Sequence, residues 1–87
     1  VLLHGWGVSS NKYLITAGYL SKFKIQNSKL RVFIPDIPGF GKSEIPKTVW
    51  GIDSYVDFVS KFVKYAVKQK NIILIGHSFG GRIAIKY

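Results

Sequence analysis

One serine near the end of the sequence has the neighbours that a nucleophile needs. Ser78 lies in the segment GHSFG, where Gly76 and Gly80 complete the pattern G-x-S-x-G. This pattern indicates chemistry only when an apolar strand precedes it and a helix follows it. The apolar run NIILIG comes directly before the serine, and a helical pattern begins around Phe79. The context therefore predicts a sharp turn that presents the serine hydroxyl to a substrate.

The residues around this corner have predicted roles of their own. A strand that reverses sharply into a helix strains its corner residue, for which we predict φ above zero. Gly76 and Gly80 leave room for the strand and helix backbones, and Gly81 lets the new helix lie close to the sheet. The Phe79 N–H, at the start of that helix, could stabilise an oxyanion. The alternative is a serine that only caps the helix.

A second candidate segment is HGWG, from His4 to Gly7, which follows the apolar run at the start of the chain. In a parallel sheet this loop can lie beside the serine corner. Gly5 and Gly7 let its backbone approach a ligand, and the Trp6 N–H is the candidate second oxyanion donor. A simple turn at the end of a strand is the alternative.

Hydrophobic periodicity and turn residues predict the elements that position these loops. We predict strands at residues 1–4, 30–36 and 71–76, and helices at residues 9–24, at residues 54–70 and after the serine. Ser54 with Asp57 resembles a capping box, and QNSK is predicted to be a loop. Strands that alternate with helices indicate a parallel sheet with helices on its faces, which is a three-layer α/β/α fold.

Three segments together resemble the α/β-hydrolase superfamily over essentially the whole chain: VLLHGWG, PDIPGFGKS and GHSFGGRIA. Their order and spacing are similar to its third strand, its fourth strand with the following loop, and its nucleophile elbow after the fifth strand. The resemblance implies strands 3–5 and helices A–C of that fold, present in incomplete form. It also implies Ser78 as nucleophile, the N–H groups of Trp6 and Phe79 as oxyanion hole, and no cofactor or metal.

The resemblance also implies acyl chemistry, because related dehalogenases and epoxide hydrolases carry aspartate where this chain has serine. The bond opened would be an ester, thioester, amide or activated carbon–carbon bond, in a small molecule with an acyl or carbonyl group. HGWG and PGFGKS are similar to segments of small-substrate carboxylesterases, carbon–carbon bond hydrolases, proline-type aminopeptidases and cofactor-free haloperoxidases. These four classes stay open.

The base and the acid that a serine nucleophile requires do not follow Ser78. In this superfamily the acid and then the histidine come after the serine, but no Asp, Glu or His does so here. We therefore expect residues 1–87 to be part of one larger hydrolase domain, without a second domain, and to have little or no turnover by themselves. The alternative is a non-catalytic binding module that keeps the scaffold.

The other histidines and aspartates are predicted to have structural roles. His4 should hydrogen-bond at the end of the first strand, and the side chain of His77 should point away from the serine oxygen. We expect Asp36 to organise the PGFGKS turn, and Asp53 and Asp57 to lie at the start of a helix.

Two nucleotide-binding patterns are incomplete. GFGKS resembles the end of a phosphate-binding loop, but Asp36 stands where that loop needs its first glycine, and Pro38 interrupts it. GWGVSS has Ser10 where a dinucleotide fingerprint has its third glycine. We therefore predict no nucleotide binding.

Composition bounds the remaining classes of function. A chain of 87 residues that is 47% hydrophobic is long enough for one small globular domain. The net charge of +9 raises the possibility of an anionic partner. The lysines are spread along the chain, however, which favours a solvated surface and no nucleic-acid partner.

No apolar run could span a bilayer. With no cysteine, disulfides are excluded and the cytoplasm is the default compartment.

Overall fold

Two apolar segments that are distant in sequence pair in parallel at the centre of the structure, a computed structural model that describes residues 1–87. The strands are β1 (Leu2–Leu3), β2 (Lys24–Ile25), β3 (Ser28–Lys29) and β4 (Ile75–Gly76). The helices are α1 (Leu14–Leu20), α2 (Ile52–Phe62) and α3 (Phe79–Lys86). A 3₁₀ turn (Ser10–Tyr13) leads into α1, and a π-helical turn (Val63–Val67) continues α2. The α/β class predicted from the sequence is confirmed.

The parallel sheet consists of β1 and β4, in the register Leu2 to Ile75 and Leu3 to Gly76. The Ile75 N–H donates to the Val1 carbonyl at 2.8 Å, and the His77 N–H donates to the Leu3 carbonyl at 3.1 Å. Because both strands run the same way, their carboxyl ends meet at one edge of the sheet. The loop after β1 and the corner after β4 therefore lie side by side.

The strand predicted at residues 30–36 flanks β1 but is not a regular strand. The Leu2 N–H donates to the Phe33 carbonyl at 2.9 Å, on the edge of β1 opposite β4. The next bond of a parallel ladder would need the N–H of residue 35 to reach the Leu2 carbonyl. Pro35 has no N–H, so the ladder ends after one bond.

The first predicted helix is shorter than residues 9–24, because part of that segment forms a hairpin. The chain leaves α1 at Leu20, and β2 pairs antiparallel with β3. Gln26 and Asn27 link these strands with φ angles of 51° and 66°. Two successive positive φ values are typical of the turn that closes a two-residue hairpin. QNSK is therefore the turn and second strand of a hairpin, not a loop.

The predicted capping box at the start of α2 is wrong. Gly51 occupies the N-cap position, and no side chain caps the helix there. Ser54 and Asp57 both lie inside α2, and Asp57 forms an exposed ion pair with Lys61 at 2.9 Å. Such a surface pair contributes little stability. Asp53 is in the first turn, as predicted, whereas Asp57, also predicted at the start of the helix, is not.

The same helix also ends earlier than residue 70. The π-helical turn closes at Val67, and Lys68 takes the left-handed conformation with φ of 58°. The Lys68 N–H donates to the Val63 carbonyl at 2.8 Å. A left-handed residue stops a helix, so Lys68 and Lys70 lie outside it.

The core lies on one face of the sheet, where α2 and α3 pack together. Leu3 on β1 points into this core, and Leu2 points to the opposite face. Leu2 lines a cavity of about 570 Å³ with Leu20 at the end of α1 and Ile25 in the hairpin. The core therefore covers one face of the sheet, and Ile75 stays partly exposed on the face that carries Leu2. The buried core residues are Leu3, Ile37, Tyr55, Val59, Val63 and Ile83.

Candidate functional site

Ser78 stands at the corner between β4 and α3 and is exposed. Its φ of 55° and ψ of −114° confirm the predicted positive φ. A non-glycine residue held in such a sparsely populated region costs about 1–3 kcal/mol, and such strain concentrates at functional sites. The Ser78 side chain makes no capping hydrogen bond to α3, and capping residues have extended dihedrals. Helix capping therefore does not explain this serine.

Gly76 and Gly80 allow the strand and the helix to meet at this corner. A Cβ at Gly80 would lie 2.6 Å from the His4 carbonyl oxygen and nearer still to that of Leu3. A Cβ at Gly76 would lie 2.5 Å from the Gly81 nitrogen and nearer still to the Gly80 carbonyl oxygen. Real Cβ atoms do not make contacts of this length, so only glycine fits at either position, as predicted.

The other three predicted glycines, Gly5, Gly7 and Gly81, differ in how closely other atoms approach them. A Cβ at Gly81 would lie 3.3 Å from the Gly76 carbonyl oxygen, a tight fit that agrees with close packing of α3. At Gly5 it would be 3.4 Å from the Ser78 Cβ, so the loop after β1 touches the corner. Gly7 has open space around it, and its φ of 77° is the feature that favours glycine there.

The two residues predicted to donate to an oxyanion lie beside Ser78. Trp6 follows Gly5 in the loop after β1, and its ring centroid is 5.1 Å from that of Phe79. Phe79 begins α3, and the first N–H groups of a helix have no partner within the helix. The structure thus brings Ser78, Trp6 and Phe79 together at the carboxyl edge of the sheet, where α/β folds bind ligands.

His4 is completely buried and joins the loop after β1 to the turn that follows Asp36. The Ile37 N–H donates to His4 Nε2 at 2.9 Å, and Nδ1 lies 2.8 Å from the Gly5 carbonyl oxygen. This network assigns the proton to Nδ1, which donates to Gly5. Both ring nitrogens are therefore engaged, and the predicted structural role of His4 is confirmed.

His77 is exposed, and its ring lies near that of Tyr13, with 6.3 Å between the centroids. The Tyr13 hydroxyl is buried without a hydrogen-bond partner. The Gly80 N–H donates to the His77 carbonyl at 3.0 Å, which ties the His77 backbone to the first turn of α3. His77 thus contributes to the corner through its backbone.

Asp36 organises the turn that follows it, as predicted. Its carboxylate accepts the Ser10 N–H at 2.7 Å and the Lys42 N–H at 3.0 Å, and its carbonyl accepts the Ser43 hydroxyl. Gly41 has φ of 54°, and a Cβ there would lie 2.6 Å from Asp36 Oδ1. Partial burial alone would raise the pKa of the Asp36 carboxyl. The Lys42 and Ser10 donors outweigh it, and the pKa falls below its usual value.

An Asp36→Asn variant tests whether the Asp36 carboxylate stabilises this turn. A carboxyl with a lowered pKa in the folded state stabilises the fold above its unfolded pKa of about 3.9, and this contribution is lost as pH falls through the folded pKa. We expect Asp36→Asn to lower the free energy of unfolding by about 1–2 kcal/mol at pH 7. The difference from the wild type should shrink below about pH 4. Urea unfolding at several pH values measures it, and a pH-independent difference would contradict the assignment.

Aromatic rings surround the Ser78 corner, and the sequence patterns did not predict this arrangement. Phe40, in the turn after Asp36, lies 4.7 Å from Trp6 between ring centroids. On the other side Tyr55 of α2 lies 5.0 Å from Phe79. The only sequence signal was the high aromatic content of 15%, which does not say which rings meet.

Other kinds of site are not formed around these residues. No three His, Asp or Glu side chains come together in a way that could hold a metal ion. None of the helices combines the length and the apolar character that crossing a membrane requires. The cavity of about 570 Å³ lies toward the amino ends of the strands, with Val1 and Ile73 in its lining. It is therefore on the opposite edge of the sheet from Ser78.

Comparison with known proteins places the whole chain in one family. The profile of the alpha/beta hydrolase fold family matches residues 1–87. The chain is 35% identical over 89 residues to a proline iminopeptidase of Saccharolobus solfataricus, with 100% of the chain and 27% of that protein covered. No solved structure gives a significant match.

Two further relatives have other activities in their names. A pimeloyl-[acyl-carrier protein] methyl ester esterase of Shewanella woodyi is 34% identical, over 99% of the chain and 28% of the esterase. A 1-acylglycerol-3-phosphate O-acyltransferase of Arabidopsis thaliana is 32% identical, over 100% of the chain and 20% of the acyltransferase. The chain thus spans less than a third of the length of each of these relatives.

Proposed function

Because the chain belongs to the alpha/beta hydrolase fold family, we propose that it supplies the nucleophile and the oxyanion hole of a serine hydrolase. Ser78 is the nucleophile, and the N–H groups of Trp6 and Phe79 are the oxyanion donors. The substrate is a small molecule with an ester, thioester, amide or activated carbon–carbon bond next to a carbonyl group. The reaction needs no cofactor.

One observation carries this proposal: an exposed serine is held at φ of 55° where the strand turns into the helix. The surrounding backbone is closed so tightly that Gly76 and Gly80 admit no side chain. A fold that needed only a turn here could relax this strain by using glycine. Backbone strain at this position is expected when a serine must project its hydroxyl toward a substrate as a nucleophile.

The chemistry proceeds through an acyl-enzyme. The Ser78 oxygen attacks the carbonyl carbon while its proton passes to a histidine, which we expect in the longer protein beyond these 87 residues. The carbonyl oxygen becomes an oxyanion that accepts the Trp6 and Phe79 N–H groups. The tetrahedral intermediate collapses, and the leaving group departs with the proton from the histidine. Water, deprotonated by the same histidine, then attacks the acyl carbon and restores the serine.

The named activities of the relatives are compatible with a common acyl-enzyme. An iminopeptidase opens an amide bond, a methyl ester esterase opens an ester, and an O-acyltransferase passes an acyl group to a hydroxyl. Each begins with attack on an acyl carbon, and they differ in the group that accepts the acyl moiety. We propose ester and amide bonds as the first substrates to test.

A fluorophosphonate probe on the full-length protein that contains this chain tests the proposal. This probe reacts with activated serines, so we expect one label, located at Ser78 by peptide mass spectrometry. Ser78→Ala should abolish labelling. Ser60→Ala, which removes an exposed serine on α2, should leave it intact. Residues 1–87 alone should label at most slowly, because no histidine base follows Ser78.

The alternative is a binding module that keeps the scaffold without catalysis. A full-length protein that carries a histidine downstream of Ser78 and still takes no label would favour this alternative. Labelling at a serine other than Ser78 would overturn the assignment of the nucleophile.

A further inference from the structure

Trp6 is an exposed aromatic residue that other rings hold in place. Its side chain is 64% exposed. Its ring meets Phe40 at 4.7 Å and 72°, and Phe79 at 5.1 Å and 89°. Edge-to-face contacts of this kind are the favoured geometry for aromatic pairs. The two contacts fix the orientation of the indole ring while most of its surface stays open to solvent.

The support behind this ring is itself buried. Tyr55 is 7% exposed, and its ring packs edge-to-face on Phe79 at 5.0 Å. His4, which is fully buried, packs edge-to-face on Phe40 at 5.9 Å. The two rings that hold Trp6 are thus each anchored on a buried ring of the fold. A binding group that is supported in this way loses little conformational freedom when a ligand arrives.

Two other aromatic side chains of similar exposure have a different environment. Tyr19 and Tyr65 are 65% exposed, and each lies under the ammonium group of a nearby lysine. Trp6 instead adjoins Gly5, which touches the Ser78 corner. Because Trp6 adjoins the corner that carries Ser78, the acyl group of a substrate attacked by this serine can reach the open part of the indole ring.

We infer that the Trp6 side chain binds an aromatic acyl group of the substrate, stacked on the open part of the indole ring. This inference rests on the proposed function, because it takes Ser78 as the residue that attacks the acyl carbon. The Trp6 N–H holds the carbonyl oxygen of that acyl group, so the same residue orients both the reacting carbonyl and the ring attached to it. Aromatic stacking then selects aromatic over short aliphatic acyl groups.

The test compares two ethyl esters that differ only in the acyl group, ethyl phenylacetate and ethyl acetate, in the full-length protein. Ethanol is the leaving group in both, so no aromatic leaving group competes for Trp6. Trp6→Ala should lower the ratio of kcat/KM for the phenylacetate to kcat/KM for the acetate about tenfold, because only the phenylacetate carries a ring that stacks on the indole. A loss common to both esters reports on the oxyanion donor of the same residue and leaves this ratio unchanged. Trp6→Phe should keep most of the preference for the aromatic ester.

Tyr65→Ala is the matched control, because Tyr65 is an aromatic residue of equal exposure. It lies in the turn Val63–Val67, which borders the cavity at the opposite edge of the sheet. The control should leave the ratio of the two kcat/KM values unchanged. An equal loss for both esters in Trp6→Ala would mean that Trp6 only supports its loop and would overturn the inference. Unchanged kcat/KM values for both esters would overturn it as well.

The fluorophosphonate label separates failure of this inference from failure of the proposed function. If wild-type protein takes the label at Ser78 and the Trp6→Ala ratio does not change, only the aromatic acyl site is wrong. If wild-type protein takes no label, the nucleophile itself is wrong, and the inference falls with it.

Discussion

Replacing Ser78 by alanine is expected to lower kcat of the full-length protein toward an ester by about 10⁵- to 10⁶-fold. Loss of the nucleophile removes the acyl-enzyme route, and only the oxyanion donors and substrate binding remain. Steady-state kinetics with enough enzyme to detect the residual rate measures the effect. A variant that keeps more than about a hundredth of the wild-type kcat would show that Ser78 is not the nucleophile.

A comparison of Ser78→Gly with Ser78→Ala tests whether the backbone at residue 78 is strained. Both variants lack the hydroxyl, so both should be inactive. They differ in backbone strain, because at φ of 55° alanine carries the same steric cost as serine and glycine does not. We expect Ser78→Gly to have a free energy of unfolding about 1 kcal/mol higher than that of Ser78→Ala.

Urea unfolding of the two inactive variants measures this difference. Equal stabilities would show that the backbone at residue 78 is not strained in the folded protein. In that case the observation that carries the proposed function would be lost, even if Ser78→Ala were inactive.

The second large effect is expected at Gly80, where alanine should destabilise the protein by about 3 kcal/mol or more. The added Cβ would lie 2.6 Å from the His4 carbonyl oxygen, and the obstacle is backbone, which cannot rotate away. α3 would have to move off β1 and separate Ile83 from Leu3 in the core. Since whole domains are stable by only about 5–15 kcal/mol, we expect a marked fall in the yield of folded protein.

Gly18→Ala is the control for helix propensity. Gly18 lies inside α1 with nothing near its Cα that a Cβ would meet. Alanine is favoured over glycine in a helix by about 1 kcal/mol, so this variant should be slightly more stable than the wild type. Thermal unfolding compares the two variants. If Gly80→Ala were as stable as Gly18→Ala, the close approach of α3 to β1 would be refuted.

Much of the corner could be predicted because its constraints are local. The positive φ at Ser78 and the need for Gly76 follow from a strand that turns at once into a helix. Gly80 fits the same sequence pattern, but the backbone that excludes a side chain there belongs to Leu3 and His4. The structural roles of His4 and Asp36 also followed from their positions at the ends of apolar segments. Their partners, in contrast, are distant in sequence: His4 accepts the Ile37 N–H and Asp36 accepts the Ser10 N–H, and only the fold brings these groups together.

The boundaries of the elements were predicted less well, and single residues explain why. Pro35 ends the pairing of an apolar segment that otherwise has the composition of a strand. Gln26 and Asn27 close a hairpin, although no glycine in this segment indicates a turn. A π-helical turn ends at Val67, where periodicity predicted that the helix continues. In each case the presence or absence of backbone hydrogen bonds sets the boundary of the element. The hydrophobic pattern does not determine these bonds.

The sequence alone determined which residues this protein offers for chemistry, because a hydroxyl between glycines after an apolar strand is readable from residue types and spacing. Only the tertiary structure decided which residues meet. Parallel pairing of β1 with β4 brings Trp6 to a serine 72 positions away, and the same packing sets Phe40 and Tyr55 around them. Such contacts depend on the register of the strands and on where helices cross the sheet. Those are properties of the whole chain, and no local pattern encodes them.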